Sequence, residues 1–163
     1  MGRDLSYSEW LRVCASDDAA HVQLLLHDPD HGHREEIDSA ILLDAWSHPE
    51  WPERVLGTTG WVELFRTAGF SARPPRPAPT EHLQVFRGST WGRRRGMAWT
   101  TDPTCARRFA ERWTASGAGV GQVFVARIGP DAVLAMIDDR GEAEVVVDPL
   151  RLPPLGRSAI MLS

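Results

Sequence analysis

Apolar positions recur at helical spacing through the first part of the chain. Trp10, Leu11, Val13 and Cys14 begin one stripe, Val22, Leu24, Leu25 and Leu26 fall in a second, and Ile37, Ile41, Leu42 and Ala45 follow. Helices are therefore predicted between Ser8 and about Gly69. Pro49 and Pro52 are expected to break this run. Trp61, Leu64, Phe65 and Ala68 form a further amphipathic set, stopped by Gly69. Residues 71–80, SARPPRPAPT, carry four prolines in ten, which predicts an extended connector rather than an element.

Beyond the connector the period changes to two. His82 to Phe86 reads as a strand ended by Arg87-Gly88, and Gly96 to Thr100 as a second. Asp102-Pro103 opens a helix, with Asp102 as N-cap and Pro103 at its first position. The apolar face of that helix is Cys105, Ala106, Phe109, Ala110 and Trp113. Gly121–Ile128, Ala132–Ile137 and Glu142–Val147 predict three more strands, and Ser158–Leu162 one at the end. Helices first and strands afterwards give an α+β class. The expected layout is a helical subdomain over 1–70, the connector over 71–80 and a mainly antiparallel β core over 81–163, together one compact domain.

Composition narrows the function classes only a little. The 163 residues carry a formal charge of −4, so no global field draws the chain to nucleic acid or anionic membrane. All 18 basic residues are arginine. Cys14 and Cys105 stand alone, without metal or redox spacing. No stretch approaches the ~18 apolar residues of a membrane span, and the N-terminus lacks an apolar leader region. A cytoplasmic protein is expected, in the producing cell or, if delivered, in a target cell, with no membrane partner. His27 to His33 is rich in ligand types, but its Asp-Pro-Asp and His-Gly steps predict a solvated loop, and no metal is expected.

Three short strings hold the candidate chemistry: Val85-Phe86-Arg87-Gly88, Met97-Ala98-Trp99-Thr100-Thr101-Asp102-Pro103, and Glu142-Ala143-Glu144-Val145-Val146-Val147. A guanidinium at a strand end suits a diphosphate. A fixed carboxylate suits the positive charge that develops on a ribose when an N-glycosidic bond breaks. Along a regular strand, Glu142 and Glu144 would share one face. Arg93-Arg94-Arg95 reads either as a solvated loop or as a contact to phosphates or nucleic acid. Trp91 and Trp99 flank the candidate site and are possible stacking partners for nicotinamide or adenine.

In this order the strings resemble the Arg–Ser–Glu group of ADP-ribosyltransferases, the cholera-toxin-like and clostridial-toxin-like branch, over the last ~80 residues. The resemblance implies a split β core that takes NAD as substrate, with Glu144 as catalytic acid, Glu142 assisting the acceptor and Thr100 supplying a hydroxyl. It implies NAD contacts from Arg87, Gly88, Trp99 and Thr100. The middle string departs from the family, because Ala98 stands where the first Ser belongs. Thr101 replaces that hydroxyl only with a one-residue slip, which turns it to the other face. The resemblance further implies transfer of ADP-ribose to a protein or nucleic-acid acceptor, a toxin, effector or phage host modifier, and a cognate antitoxin or immunity protein as partner. An NAD glycohydrolase and a non-catalytic module of the same fold remain as alternatives.

Overall fold

The computed structural model describes residues 39–47, 52–138 and 140–157. The stripes expected before Ser39, the His27–His33 loop, Cys14 and the strand expected at Ser158–Leu162 lie outside them. The chain divides into two compact units, Met1–Gly69 and Phe70–Ser163.

In the first unit, α1 spans Ser39–Ser47 and α2 spans Pro52–Ala68. The run that begins in α1 stops at Ser47, ahead of Pro49 and Pro52, and Pro52 begins the next helix. A proline costs nothing at the first helical position, where its missing N–H has no partner to lose. Gly57 (φ 71°, ψ 166°) kinks α2. Gly69 (φ 79°) ends it, its N–H donating to the Phe65 carbonyl at 3.0 Å. The apolar stripes meet in an aromatic cluster. Trp46 stands edge-on to Trp61 at 5.1 Å and to Phe65 at 5.7 Å, and all three rings are buried. The Trp61 indole N–H donates to the Pro52 carbonyl at 2.7 Å, so its one polar atom is satisfied inside the cluster.

The second unit is an α+β fold. Seven strands, β1 Ser71–Arg73, β2 Leu83–Ser89, β3 Ala98–Thr100, β4 Gln122–Ile128, β5 Val133–Ile137, β6 Glu144–Val147 and β7 Gly156–Arg157, form one sheet in the order β1-β5-β6-β3-β2-β4-β7. Every pairing is antiparallel except β1 with β5. Ser71–Arg73 was expected to be connector. It is a strand because β5 offers a free edge to an extended segment just ahead of the prolines.

The helix α3, Pro103–Ala115, starts as the sequence predicts, the Asp102 carboxylate accepting from the Thr104 N–H at 2.8 Å. It packs on β2 and β4 through Ala106 and Ala110, against Val123 and Phe86. Two glycines permit the approach. A Cβ at Gly88 would lie 1.9 Å from the Ala106 carbonyl oxygen, and one at Gly121 would lie 1.7 Å from that of Ala110. The other face of the sheet holds the main core, with Val85, Trp99, Phe124, Ala126, Val145 and Val147 all buried. The inner strand β6 is buried on both faces over Val145–Val147, which explains its unbroken apolar run.

Candidate active site

The order β6-β3-β2 sets the three candidate strings on three neighbouring strands. Phe86 pairs with Thr100, and Thr100 pairs with Glu144. Directly paired residues point to the same side of a sheet, so Phe86, Thr100 and Glu144 share the face covered by α3. Arg87, one step on from Phe86 and paired with Phe124, belongs to the opposite, core-lined face. The structure pairs Thr100 with Glu144, and it sets Arg87 on the neighbouring strand, one step on from Phe86.

Arg87 instead holds the segment between β2 and β3. Its Nε donates to the Arg93 carbonyl at 3.0 Å and its Nη1 donates to the Ala98 carbonyl. Gly88, one of the expected NAD contacts, lies under the backbone of α3. Trp99 is 2% exposed within the core and its indole N–H donates to the Gly96 carbonyl at 2.8 Å.

The two glutamates are presented in an unexpected way. Strand β6 begins at Glu144, and Ala143 has φ 45°, a left-handed conformation unusual for a residue with a Cβ. The alternation that would have put Glu142 and Glu144 on one face by strand geometry therefore stops at Ala143. Three hydrogen bonds fix this corner. The Thr100 hydroxyl donates to the Glu142 carbonyl at 2.6 Å, the Thr101 N–H donates to the Ala143 carbonyl at 3.1 Å, and the Asp138 carboxylate accepts from the Ala143 N–H at 3.1 Å. The Thr100 hydroxyl, in a residue 5% exposed, also accepts from the Asp102 N–H at 3.0 Å. Thr100 thus links the start of α3 to the glutamate corner through backbone groups. Both glutamates are half-buried.

Cys105, one turn into α3, lies beside this corner. Burial pushes its thiol up from its ordinary value, the charges of Glu142 and Asp102 push the same way, and a hydrogen bond with Arg108 opposes them. A thiol held neutral is a poor nucleophile. Arg108 is exposed and lies close to Cys105, and so places a cation near Glu142.

Sequence reasoning missed Asp138, Cys105 and Arg108 as neighbours of the site. An Asp closing a β-strand just before a turn was a signal for Asp138. Nothing local marked the other two. Among the described residues no three His, Cys, Asp or Glu side chains gather as ligands for a cation, and no helix is long and apolar enough to cross a membrane.

Compared with protein-family models, with characterised proteins and with solved structures, the chain matches none.

Proposed function

We propose that this chain is an NAD-dependent ADP-ribosyltransferase built on an ADP-ribosyltransferase-type β core, with Glu144 as its working carboxylate. One observation carries the reading. Ala143, between the two glutamates, keeps a left-handed backbone and is pinned by Asp138, Thr100 and Thr101. Such a conformation costs roughly 1–3 kcal/mol, persists where its surroundings over-determine it, and concentrates at functional sites. What it achieves here is to fix the bearing of two carboxylates at the head of a buried inner strand.

A carboxylate held in this way suits the cleavage of NAD. The bond from nicotinamide nitrogen to ribose C1′ breaks with both electrons going to the nitrogen, and nicotinamide leaves neutral. The positive charge left on the ribose is spread over C1′ and the ring oxygen. Glu144 accepts a hydrogen bond from the ribose 2′-hydroxyl and faces that charge, with no reorganisation needed at the moment of reaction. An acceptor nucleophile then bonds to C1′ and gives up its proton, for which Glu142 is the neighbouring base. Arg108 is the cation offered to the diphosphate near this corner, and Arg87 acts as a positioning residue for the β2–β3 segment. A toxin or effector role with a cognate immunity protein is the setting this chemistry fits.

Hydrolysis of NAD by water is the second reading, favoured by the displacement of Glu142 from the strand. Incubation with NAD labelled in its adenine moiety separates the two, with cell lysate as the source of acceptors. Transfer predicts label on macromolecules and its loss in Glu142→Ala. Hydrolysis predicts free ADP-ribose alone, unchanged by that substitution.

A further inference from the structure

Strands β5 and β6 pair with Ile137 opposite Glu144, and one further step of that register sets Asp138 opposite Ala143. Asp138 gives its own N–H to the Arg73 carbonyl, at the end of β1, at 2.8 Å. Its carboxylate accepts from the Ala143 N–H at 3.1 Å. The peptide that joins Glu142 to Ala143 is therefore held on both edges, its N–H by Asp138 and its carbonyl by the Thr100 hydroxyl at 2.6 Å. The peptide that follows is held through the Ala143 carbonyl by the Thr101 N–H at 3.1 Å. Two fixed peptide planes leave the left-handed φ of 45° between them no room to relax. Of these three holds, two come from β3 and the residue after it, on one side of β6. Asp138 reaches across from the end of β5, on the other side.

We propose that Asp138 is a positioning residue for Glu142, acting through the left-handed Ala143, and that it thereby governs transfer of ADP-ribose to an acceptor rather than cleavage of NAD. As a statement about transfer this rests on the NAD-cleaving reading. As a hold on the corner it does not. Glu144 keeps its place without Asp138, because it is paired on both sides, with Ile137 and with Thr100. Glu142 lies ahead of β6 and takes its bearing from the corner.

With Asp138 removed, the peptide ahead of Ala143 hangs on the Thr100 hydroxyl and turns about that bond. A residue with a Cβ disfavours the left-handed state by about tenfold in population. The corner then relaxes toward an extended backbone and Glu142 leaves its bearing. Glycine carries no such penalty, so Ala143→Gly is expected to keep the corner populated even where Asp138 is missing.

The test compares the full chain with Asp138→Ala, Asp138→Asn and the double variant Asp138→Ala/Ala143→Gly. Adenine-labelled NAD, with cell lysate as the source of acceptors, gives two readings: nicotinamide released and label on macromolecules. A second measurement, made without NAD, follows hydrogen exchange of the Ala143 amide by NMR. Asp138 is exposed, so its replacement leaves the core intact. Asp138→Ala is expected to lower labelling about tenfold and nicotinamide release by less than about twofold, a split that general loss of structure does not produce. Asp138→Asn keeps an oxygen to accept the N–H, and both it and the double variant should label within about threefold of the parent. The Ala143 amide should exchange about tenfold faster in Asp138→Ala than in the parent. Parent-like labelling by Asp138→Ala, no recovery in the double variant, a parallel fall of both readings, or an unchanged exchange rate would each overturn the proposal. Nicotinamide without label in the parent overturns it too, and leaves Glu144 as the working carboxylate. A parent that releases no nicotinamide refutes the NAD-cleaving reading and the role in transfer with it, and the exchange rate then decides by itself whether Asp138 holds the corner.

Discussion

Gly88→Ala puts the packing of α3 to a direct test. The added Cβ would lie 1.9 Å from the Ala106 carbonyl oxygen, 2.6 Å from the Ala110 nitrogen and 2.9 Å from the Ala106 carbonyl carbon. Ordinary contact begins at 3.4 Å, so the helix must retreat by about 1.5 Å or the strand must bend, because the obstructing atoms are backbone and not a flexible side-chain tip. Retreat of α3 loosens Cys105, Ala106, Ala110 and Trp113 together, since these are its buried residues. Overpacking costs typically about 1–3 kcal/mol, and a clash with helix backbone belongs at or above the top of that range. At roughly 2–4 °C per kcal/mol for a chain of this size, a cost of about 3 kcal/mol lowers the melting temperature by about 6–12 °C. Thermal unfolding followed by circular dichroism measures this. Gly92→Ala is the control, because nothing lies within 4 Å of its added Cβ, and its effect should stay within about 0.5 kcal/mol. If Gly88→Ala melts within a degree of the parent, the close seating of α3 on β2 is wrong.

Thr100→Val removes the hydroxyl that joins Glu142 to Asp102 while keeping the side-chain shape, and should cost about 1–3 kcal/mol in urea unfolding. Thr100→Ser retains the link and should restore most of the loss. Arg87→Ala releases the carbonyls of Arg93 and Ala98, so limited trypsin digestion should cut at Arg93–Arg95 several times faster than in the parent, and an unchanged rate would contradict the positioning role. Cys105 should resist alkylation in the native chain and react once the chain is denatured. Because its folded value is raised, the stability this thiol contributes is fully present below the ordinary value of 9.0 and is lost as pH rises through the folded value. Unfolding measured over that alkaline range should therefore show falling stability, and Cys105→Ala should flatten the fall.

Much of the β core was legible in the sequence because its signals are local. The Asp102-Pro103 start of α3 is a capping motif, and β2 and β4 follow a period of two. Where the sequence misled, a distant partner decided the outcome. Ser71–Arg73 is a strand only because β5 lies alongside it. The candidate site shows the same division. Glu142, Glu144 and Thr100 could be picked out by residue type, and they do meet at one corner. The face each residue occupies depends on strand register, which no short string encodes, so the backbone placing of Arg87 and Glu144 on opposite faces of the sheet could not be read. The corner at Ala143 was equally hidden, since alanine gives no sign of a left-handed backbone and the groups that hold it come from Asp138, Thr100 and Thr101.

The central claim is that Glu144 is a fixed negative charge that stabilises the ribose cation during NAD cleavage. Nicotinamide release from NAD, measured for the parent chain beside Glu144→Gln, tests it most directly, because the amide keeps the shape and hydrogen-bonding capacity and removes only the charge. The account predicts release by the parent and a drop of about a hundredfold or more in the variant, the scale of a lost electrostatic stabiliser. Equal release by both, or none from the parent even with lysate as acceptor, would contradict it.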